Sequence, residues 1–428
     1  MLKSLRNNYV LCIARRWSSS DATTDTAPAL RRSKRIKTSR ERREHFDAHS
    51  RKAEGEGNHI PFPTATQERR LPKKKVALYL GFNGTGYQGM QWNPTASSIE
   101  QTLFEALCKA GAVSSLNSTD PKKDPLIVKK INANLPEQIR VWGYTHVMGS
   151  FHAKNSCNAR EYEYWLPTYT LMPRPPLSLR HCPKVIKPVR EYPTDIRIAS
   201  PSDGDTDAAG YIEPNSPEEF ALKSSSYRID AERLEKFKQA MSMFEGTHNF
   251  HNYTIARAYA DPSAHRHMMK IQVSEQPTYY QGTEWLSVKL RGQSFMLHQI
   301  RKMLSMAMLA ARSSSPLTII DRSFEEKKIN IPKAPALGLL LDRPLFQHYN
   351  QRIENRSDRE PICFDQFQNE MKMFKQEWIY SEIFKSDKAD QVFDNFMLMV
   401  DSQEGPAFKY INEHGVIPPE SVISSKYQ

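Results

Sequence analysis

Apolar residues that alternate with other residues predict three β-strands along the chain. The first covers residues 75–82, the second 160–166 and the third 285–292. On the second strand, Tyr162 and Tyr164 point to one side and the intervening glutamates to the other. The glycine-rich run after the first strand predicts a turn, because glycine tolerates positive φ.

Apolar residues spaced three or four positions apart predict three helices. One ends at Gly111, one covers residues 230–245, and one begins at Ser294. The expected buried side of that last helix carries Leu297, Ile300, Leu304 and Ala307. Since strands and helices are interspersed without regular βαβ spacing, the pattern favours an α+β fold.

The same patterns divide the chain into five parts. Residues 1–72 are low in apolar content and without periodicity, so we expect a disordered basic tail there. Two α+β lobes follow, 73–170 and 230–347, separated by a Pro-rich and acidic linker or insertion at 171–229. Residues 348–428 form a C-terminal extension in which we expect helices.

The positive charge is concentrated in the N-terminal tail. The formal net charge is +12, and residues 1–75 carry 19 Lys and Arg against 8 Asp and Glu. The body is therefore almost neutral, so any nucleic-acid recognition there must use local patches. The longest apolar run, residues 303–311, is too short to span a bilayer, which excludes an integral membrane protein. Five dispersed cysteines, an odd number without a C-x-x-C pair, argue against a disulfide scaffold or a zinc ribbon.

The tail carries two stretches typical of targeting signals. The first 20 residues lack Asp and Glu and carry arginine and serine, which is typical of a mitochondrial presequence. The basic cluster at residues 31–43 is typical of a nuclear localisation signal. We therefore expect dual targeting to the mitochondrion and the nucleus.

Candidate chemistry points to RNA rather than to a metal. His248 and His251 form an H-x-x-H pair, but no cysteine or acidic cluster completes a metal site. Aromatic and amide side chains interleaved with cations suit RNA, where rings stack on bases and cations meet phosphates. The residues of this kind are Tyr87, Gln91, Arg160, Tyr162, His298 and Arg301.

Seven ordered segments between residues 74 and 343 carry a family resemblance. They lie at residues 74–79, 84–91, 130–136, 151–164, 244–252, 292–303 and 332–338. In these segments the chain resembles eukaryotic tRNA pseudouridine synthases of the branch that acts at several tRNA uridines. The resemblance implies a two-lobed α+β fold around a mixed, largely antiparallel sheet with a central RNA cleft. It also implies a tRNA partner, no metal or small-molecule cofactor, and a monomer.

The resemblance also implies residue roles. Tyr162 matches the tyrosine that stacks on the extruded uridine and can assist proton removal at C5. Arg301 matches the arginine that keeps the catalytic aspartate ionised. The other aromatic, amide and basic side chains named above are expected to bind substrate.

The loop that carries the family's catalytic aspartate has no counterpart here. It should lie between Gly111 and Lys130, but residues 112–129 contain no Arg-Thr-Asp-x-Gly-Val-like motif, and the first lobe is shortened there. Asp120 is the nearest acidic candidate, although Pro121 follows it and restricts its backbone.

Three functions stay open on the residues alone. The first is an active tRNA pseudouridine synthase. The second is a catalytically inactive RNA-binding protein or tRNA-folding helper on the same scaffold. The third, least favoured, is another RNA-modifying enzyme that uses His248, His251 or Cys157.

Overall fold

The structure is a computed structural model that describes residues 8–14, 75–93, 95–113, 126–173, 226–255, 257–403 and 405–423. Its centre is a nine-stranded sheet. The strands are β1 (Asn8–Ala14), β2 (Val76–Phe82), β3 (Ile139–His146), β4 (Ala159–Pro167), β5 (Gly246–Asn249), β6 (His265–Val273), β7 (Thr278–Tyr280), β8 (Thr283–Gly292) and β9 (Leu339–Leu345). The helices are α1 (Ile99–Lys109), α2 (Ile127–Ala133), α3 (Ala231–Ser242), α4 (Gln299–Ala311), α5 (Thr318–Arg322), α6 (Gln347–Ile353), α7 (Gln368–Phe374), α8 (Ser381–Asp390) and α9 (Val392–Asp401).

The strands follow the order β3-β2-β1-β9-β4-β8-β6-β5, with β7 paired to β8. Only the β1–β9 pair is parallel; every other pair described is antiparallel. The α+β class and the mixed, largely antiparallel sheet predicted from the sequence are therefore confirmed.

Strand β1 lies in the middle of this sheet. It pairs with β2 from Tyr9 opposite Phe82 to Ala14 opposite Ala77. On its other edge, Asn8 and Tyr9 pair with β9. The sequence predicted no regular structure in this part of the tail, and the apolar run 10–13 explains the difference, because such runs suit strands with neighbours on both edges. The rest of the tail, residues 174–225 of the linker region and Asp120 lie outside the described residues.

The first half of the sheet, β2 and β3, is covered on both faces. One face packs against α1 and α2 through a cluster that includes Leu80, Ile99 and Ile131. On the other face Tyr79 contacts Phe364 and Phe367 of the C-terminal extension, at 5.0 Å between ring centroids in both cases. The sequence analysis predicted a single apolar face for β2, but the extension covers the other face as well.

The second half of the sheet, β4 to β9, packs against α3 and α4. Helix α4 is buried along nearly its whole length. The prediction that this helix begins at Ser294 is wrong, because it begins at Gln299. His298 has a φ of 65°, which interrupts the helical path, and Leu297 is 66% exposed rather than on the buried side.

The C-terminal extension contacts both halves of the sheet. Phe374 meets Trp142 of β3 at 6.0 Å between ring centroids. Tyr380 meets Trp165 of β4 at 4.9 Å, and Phe384 meets β8 through Trp285 at 4.7 Å. The extension therefore bridges the two halves. Among the described helices, none is long and apolar enough to cross a membrane.

Candidate functional site

Tyr162 lies on β4, where it pairs with Leu290 of β8 and Leu341 of β9. Its half-buried ring packs edge-on against Phe295, with 5.0 Å between centroids. Burial raises the pKa of its hydroxyl, Arg160 two residues away lowers that pKa, and Cys157 raises it. The hydroxyl is therefore protonated at neutral pH, which suits stacking and hydrogen bonding more directly than proton removal.

Arg301 lies in the first turn of α4 and is fixed to the segment 332–338. Its Nε donates to the carbonyl oxygen of Ala334 at 2.5 Å, and the Ala334 amide donates back to the Arg301 carbonyl at 3.2 Å. The hydroxyl of Tyr164 donates to the next carbonyl, that of Pro335, at 2.8 Å. The segment 332–338 thus contacts both Arg301 and Tyr164, and Tyr164 points to the same side of β4 as Tyr162.

His298 comes directly before α4 and faces several cations. Burial, together with the charges of Arg301, Lys333 and Lys302, lowers its pKa to about 4. The imidazole is therefore neutral at pH 7, and it can accept or donate a hydrogen bond there. Its role in a substrate site is that of a polar contact rather than of a positive charge.

Lys302 is buried beside this histidine. Its Nζ donates to the carbonyl oxygens of Asn252 at 3.0 Å and Thr254 at 3.2 Å. Burial, together with the charges of Lys328 and Lys333, lowers its pKa to about 7. Cations that lower one another's pKa values in this way create a local positive potential, which attracts phosphate groups.

Tyr87 and Gln91 lie elsewhere, on the loop after β2. Tyr87 is half-buried against the core of the first half, and Gln91 is exposed. The loop is fastened to the start of α1, since the Trp92 amide donates to a carboxylate oxygen of Glu100 at 2.7 Å. The predicted site residues thus form two groups, one on each half of the sheet. Arg160, Tyr162, His298 and Arg301 make up the group on the second half.

Sequence reasoning missed the lysines around α4. Lys302, Lys328 and Lys333 are far apart or unremarkable in the sequence, and only the fold brings their charges together. The position of Lys302 directly after Arg301 was the one available signal. Phe295, the ring that packs on Tyr162, was missed because its position was assigned to a helix.

The histidine pair and Cys157 do not share a site in the described structure. His248 stacks on Phe324 at 4.3 Å between ring centroids. His251 is buried, and burial together with Lys328 lowers its pKa to about 4. Cys157 Sγ donates to the Ala159 carbonyl at 3.1 Å, and burial raises its pKa, which weakens it as a nucleophile. Within the described ranges, no group of three or more His, Cys, Asp or Glu residues could hold a metal ion.

A family model matches the region around α4, and known proteins match most of the chain. A family model described as tRNA pseudouridine synthase matches residues 240–347, which include α4. The tRNA pseudouridine synthase 1 of Kluyveromyces lactis is 40% identical over 408 residues, 82% of this chain and 73% of the relative. The chain belongs to the tRNA pseudouridine synthase family. The corresponding protein of Saccharomyces cerevisiae is 36% identical (81% and 74% covered), and the mouse pseudouridylate synthase 1 homolog is 31% identical (76% and 73% covered).

The alignments also show where this family member departs from its relatives. The alignment with the Kluyveromyces protein has 408 positions. It covers 82% of the 428 residues of this chain, and that share is fewer than 408 residues. The relative therefore has residues without a counterpart in this chain. The same holds for the Saccharomyces protein, with 407 positions against 81% of this chain.

Proposed function

We propose that this chain binds tRNA and isomerises uridine to pseudouridine within it. The relatives named for this activity support the proposal. The observation that carries it is the segment 332–338, which contacts Arg301 and also Tyr164, the residue two positions along β4 from Tyr162. An extruded uridine can lie against the Tyr162 ring, while the neighbouring cations meet the phosphates.

The isomerisation balances without a co-reactant. The bond between ribose C1′ and N1 breaks, the base turns, and a bond from C1′ to C5 forms. C5 loses its proton and N1 gains one. A carboxylate must act at C1′, and Arg301 supplies the positive charge that favours its ionised form. Asp120 is the candidate carboxylate, and it lies outside the described residues.

Binding of tRNA without isomerisation is the second candidate. It is favoured by one observation, the aligned positions at which relatives have residues that this chain lacks. If the missing residues include the catalytic loop, the second half of the sheet keeps its RNA-binding groups while the carboxylate is lost. This alternative differs from the first candidate function only in that no pseudouridine is formed.

Arg301→Ala tests the proposal directly. The chain is incubated with unmodified tRNA, and pseudouridine is quantified chromatographically after digestion to nucleosides. The variant should lower the isomerisation rate by about 10²–10³-fold, because the carboxylate loses its stabilising cation, while tRNA affinity changes little. Arg322→Ala, which removes an exposed arginine on α5, is the matched control.

Three outcomes test the assigned roles and decide between the candidates. Activity that persists unchanged in Arg301→Ala contradicts the assigned role of this residue. A wild-type chain that binds tRNA but forms no pseudouridine supports the inactive alternative, and Asp120→Ala then has no effect. An active wild type that Asp120→Ala silences identifies the nucleophile.

We further propose that the N-terminal tail directs the protein to both the mitochondrion and the nucleus. The acid-poor start of the chain favours the first and the basic cluster at 31–43 the second. A C-terminal fluorescent fusion should divide between both compartments, and Ala substitutions in the cluster should deplete the nuclear pool. We also propose that the protein works as a monomer, which light scattering of the tRNA complex checks.

A further inference from the structure

Leu297 is an exposed apolar residue next to His298, which the cations Arg301, Lys302 and Lys333 surround. Leu297 is 66% exposed, whereas Gln299 and Ile300, which follow His298, are buried. A single exposed leucine is ordinary on a protein surface. The backbone around Leu297 is unusual, and for this reason we assign a role to this leucine.

The backbone around Leu297 is fastened on both sides. The Thr254 hydroxyl donates to the Leu297 carbonyl at 3.0 Å. The Met296 amide donates to the side-chain oxygen of Gln299 at 2.9 Å. His298 adopts a φ of 65°, a left-handed conformation that is strained for a non-glycine residue. The fold thus maintains a strained turn that holds an apolar side chain in solvent.

Apolar and positively charged residues both lie near this side chain. Ile255, next to Thr254, is 48% exposed. Lys302 donates to the Thr254 carbonyl, and Lys333 and Arg301 are near enough to His298 to lower its pKa. Exposed apolar side chains beside cations match stacked bases flanked by phosphates.

We propose that Leu297 is a wedge that inserts into the base stack of folded RNA beside the extruded uridine, with Ile255 next to it. This inference rests on the proposed tRNA binding. Extruding a base leaves a gap in the stack, and an apolar side chain that fills the gap offsets part of the unstacking cost. The preferred substrate is therefore a stacked, folded RNA rather than an unstructured strand.

Leu297→Ala tests the wedge in the full chain by equilibrium binding. Its affinity for folded tRNA should fall about tenfold, since most of a buried leucine contact is lost. The dependence of affinity on salt concentration should stay the same, because no phosphate contact is removed. Leu297→Met should restore binding, and affinity for an unstructured RNA of equal length should not change.

Two further variants make the result specific. Met373→Ala removes a side chain of matching exposure, 68%, from the C-terminal extension and should bind like wild type. Lys333→Ala should weaken binding to both RNAs and reduce the salt dependence by about one ion. Equal affinity of Leu297→Ala and wild type for folded tRNA overturns the wedge and leaves tRNA binding intact. Equal loss on both RNAs also overturns it, whereas a wild type that binds no tRNA overturns the proposed function itself.

Discussion

The two halves of the sheet are built in different ways. In the second half, β4 is paired along most of its length with β8 on one edge and β9 on the other. In the first half, β2 pairs with β3 and with β1 from the far N-terminal side, and aromatic rings from the C-terminal extension cover it. The extension also contacts the second half at Trp165 and Trp285, so the two halves differ in where the sheet partners of their central strands come from.

This difference separates binding from turnover. The cations, Tyr162 and Leu297 are all positioned by contacts within the second half. The candidate carboxylate belongs to the stretch between α1 and α2 of the first half. A chain that loses residues there can keep the residues that bind tRNA, because they lie on other strands and on α4.

The largest expected effect comes from replacing Arg312 in the second half. Its guanidinium makes two bonds to the Asp401 carboxylate, of 2.5 and 3.0 Å, and both residues are buried. Arg312→Ala leaves Asp401 buried without this cation, so the free energy of unfolding should fall by about 3–5 kcal/mol. Urea denaturation followed by tryptophan fluorescence measures it. The double variant Arg312→Met/Asp401→Leu should recover most of the loss, and a single variant within about 1 kcal/mol of wild type would contradict the prediction.

Gly338 provides an intermediate effect and a control in the other half. A Cβ at this position would overlap the backbone oxygen of Trp165 and lie 3.1 Å from the Tyr164 ring. Gly338→Ala should therefore destabilise the protein by about 1–3 kcal/mol and disturb the segment that holds Arg301. Gly149→Ala, which meets nothing within 4 Å, should stay within about 0.5 kcal/mol of wild type. Thermal denaturation of both variants checks the difference, and equal melting temperatures would count against it.

The smallest effect is a local one in the first half. Removal of residues 1–14 takes away the ladder that β1 forms with β2. Exchange of the β2 amides that lose partners should accelerate by about tenfold or more, because each lost bond contributes about 0.5–1.5 kcal/mol. Amides of β6 and β8 should keep their protection. Hydrogen exchange read by mass spectrometry resolves the two halves, and unchanged β2 protection would show that β1 adds no stability there.

Strands β4 and β8 of the second half were predictable because their signal is local. The predicted strand 160–166 became Ala159–Pro167, and 285–292 became Thr283–Gly292. The period-2 pattern that defines such strands is visible in any short window. Strand β1 was not predicted, because residues 8–14 lack this alternation and lie in a tail of low apolar content.

The site was predictable in its residue types but not in its geometry. The aromatic and basic side chains stood out, and the shared site of Tyr162 and Arg301 stays a prediction, supported by the contacts of segment 332–338 with Tyr164 and Arg301. The turn before α4 misled the analysis, since Leu297 continues the helical spacing while His298 breaks the helix through its φ alone. A dihedral angle of this kind leaves no pattern in the sequence, so Leu297 was placed in the core.

The pairing of Asn8 with Leu340 has a consequence for biosynthesis. These residues stand at positions 8 and 340 of a 428-residue chain, so the parallel β1–β9 pair cannot form until most of the chain has been synthesised. The other edge of β1 can pair with β2 as soon as residues 76–82 have left the ribosome. The pair that joins the two halves of the sheet is therefore a contact of long sequence separation, which makes its closure a slow step of folding.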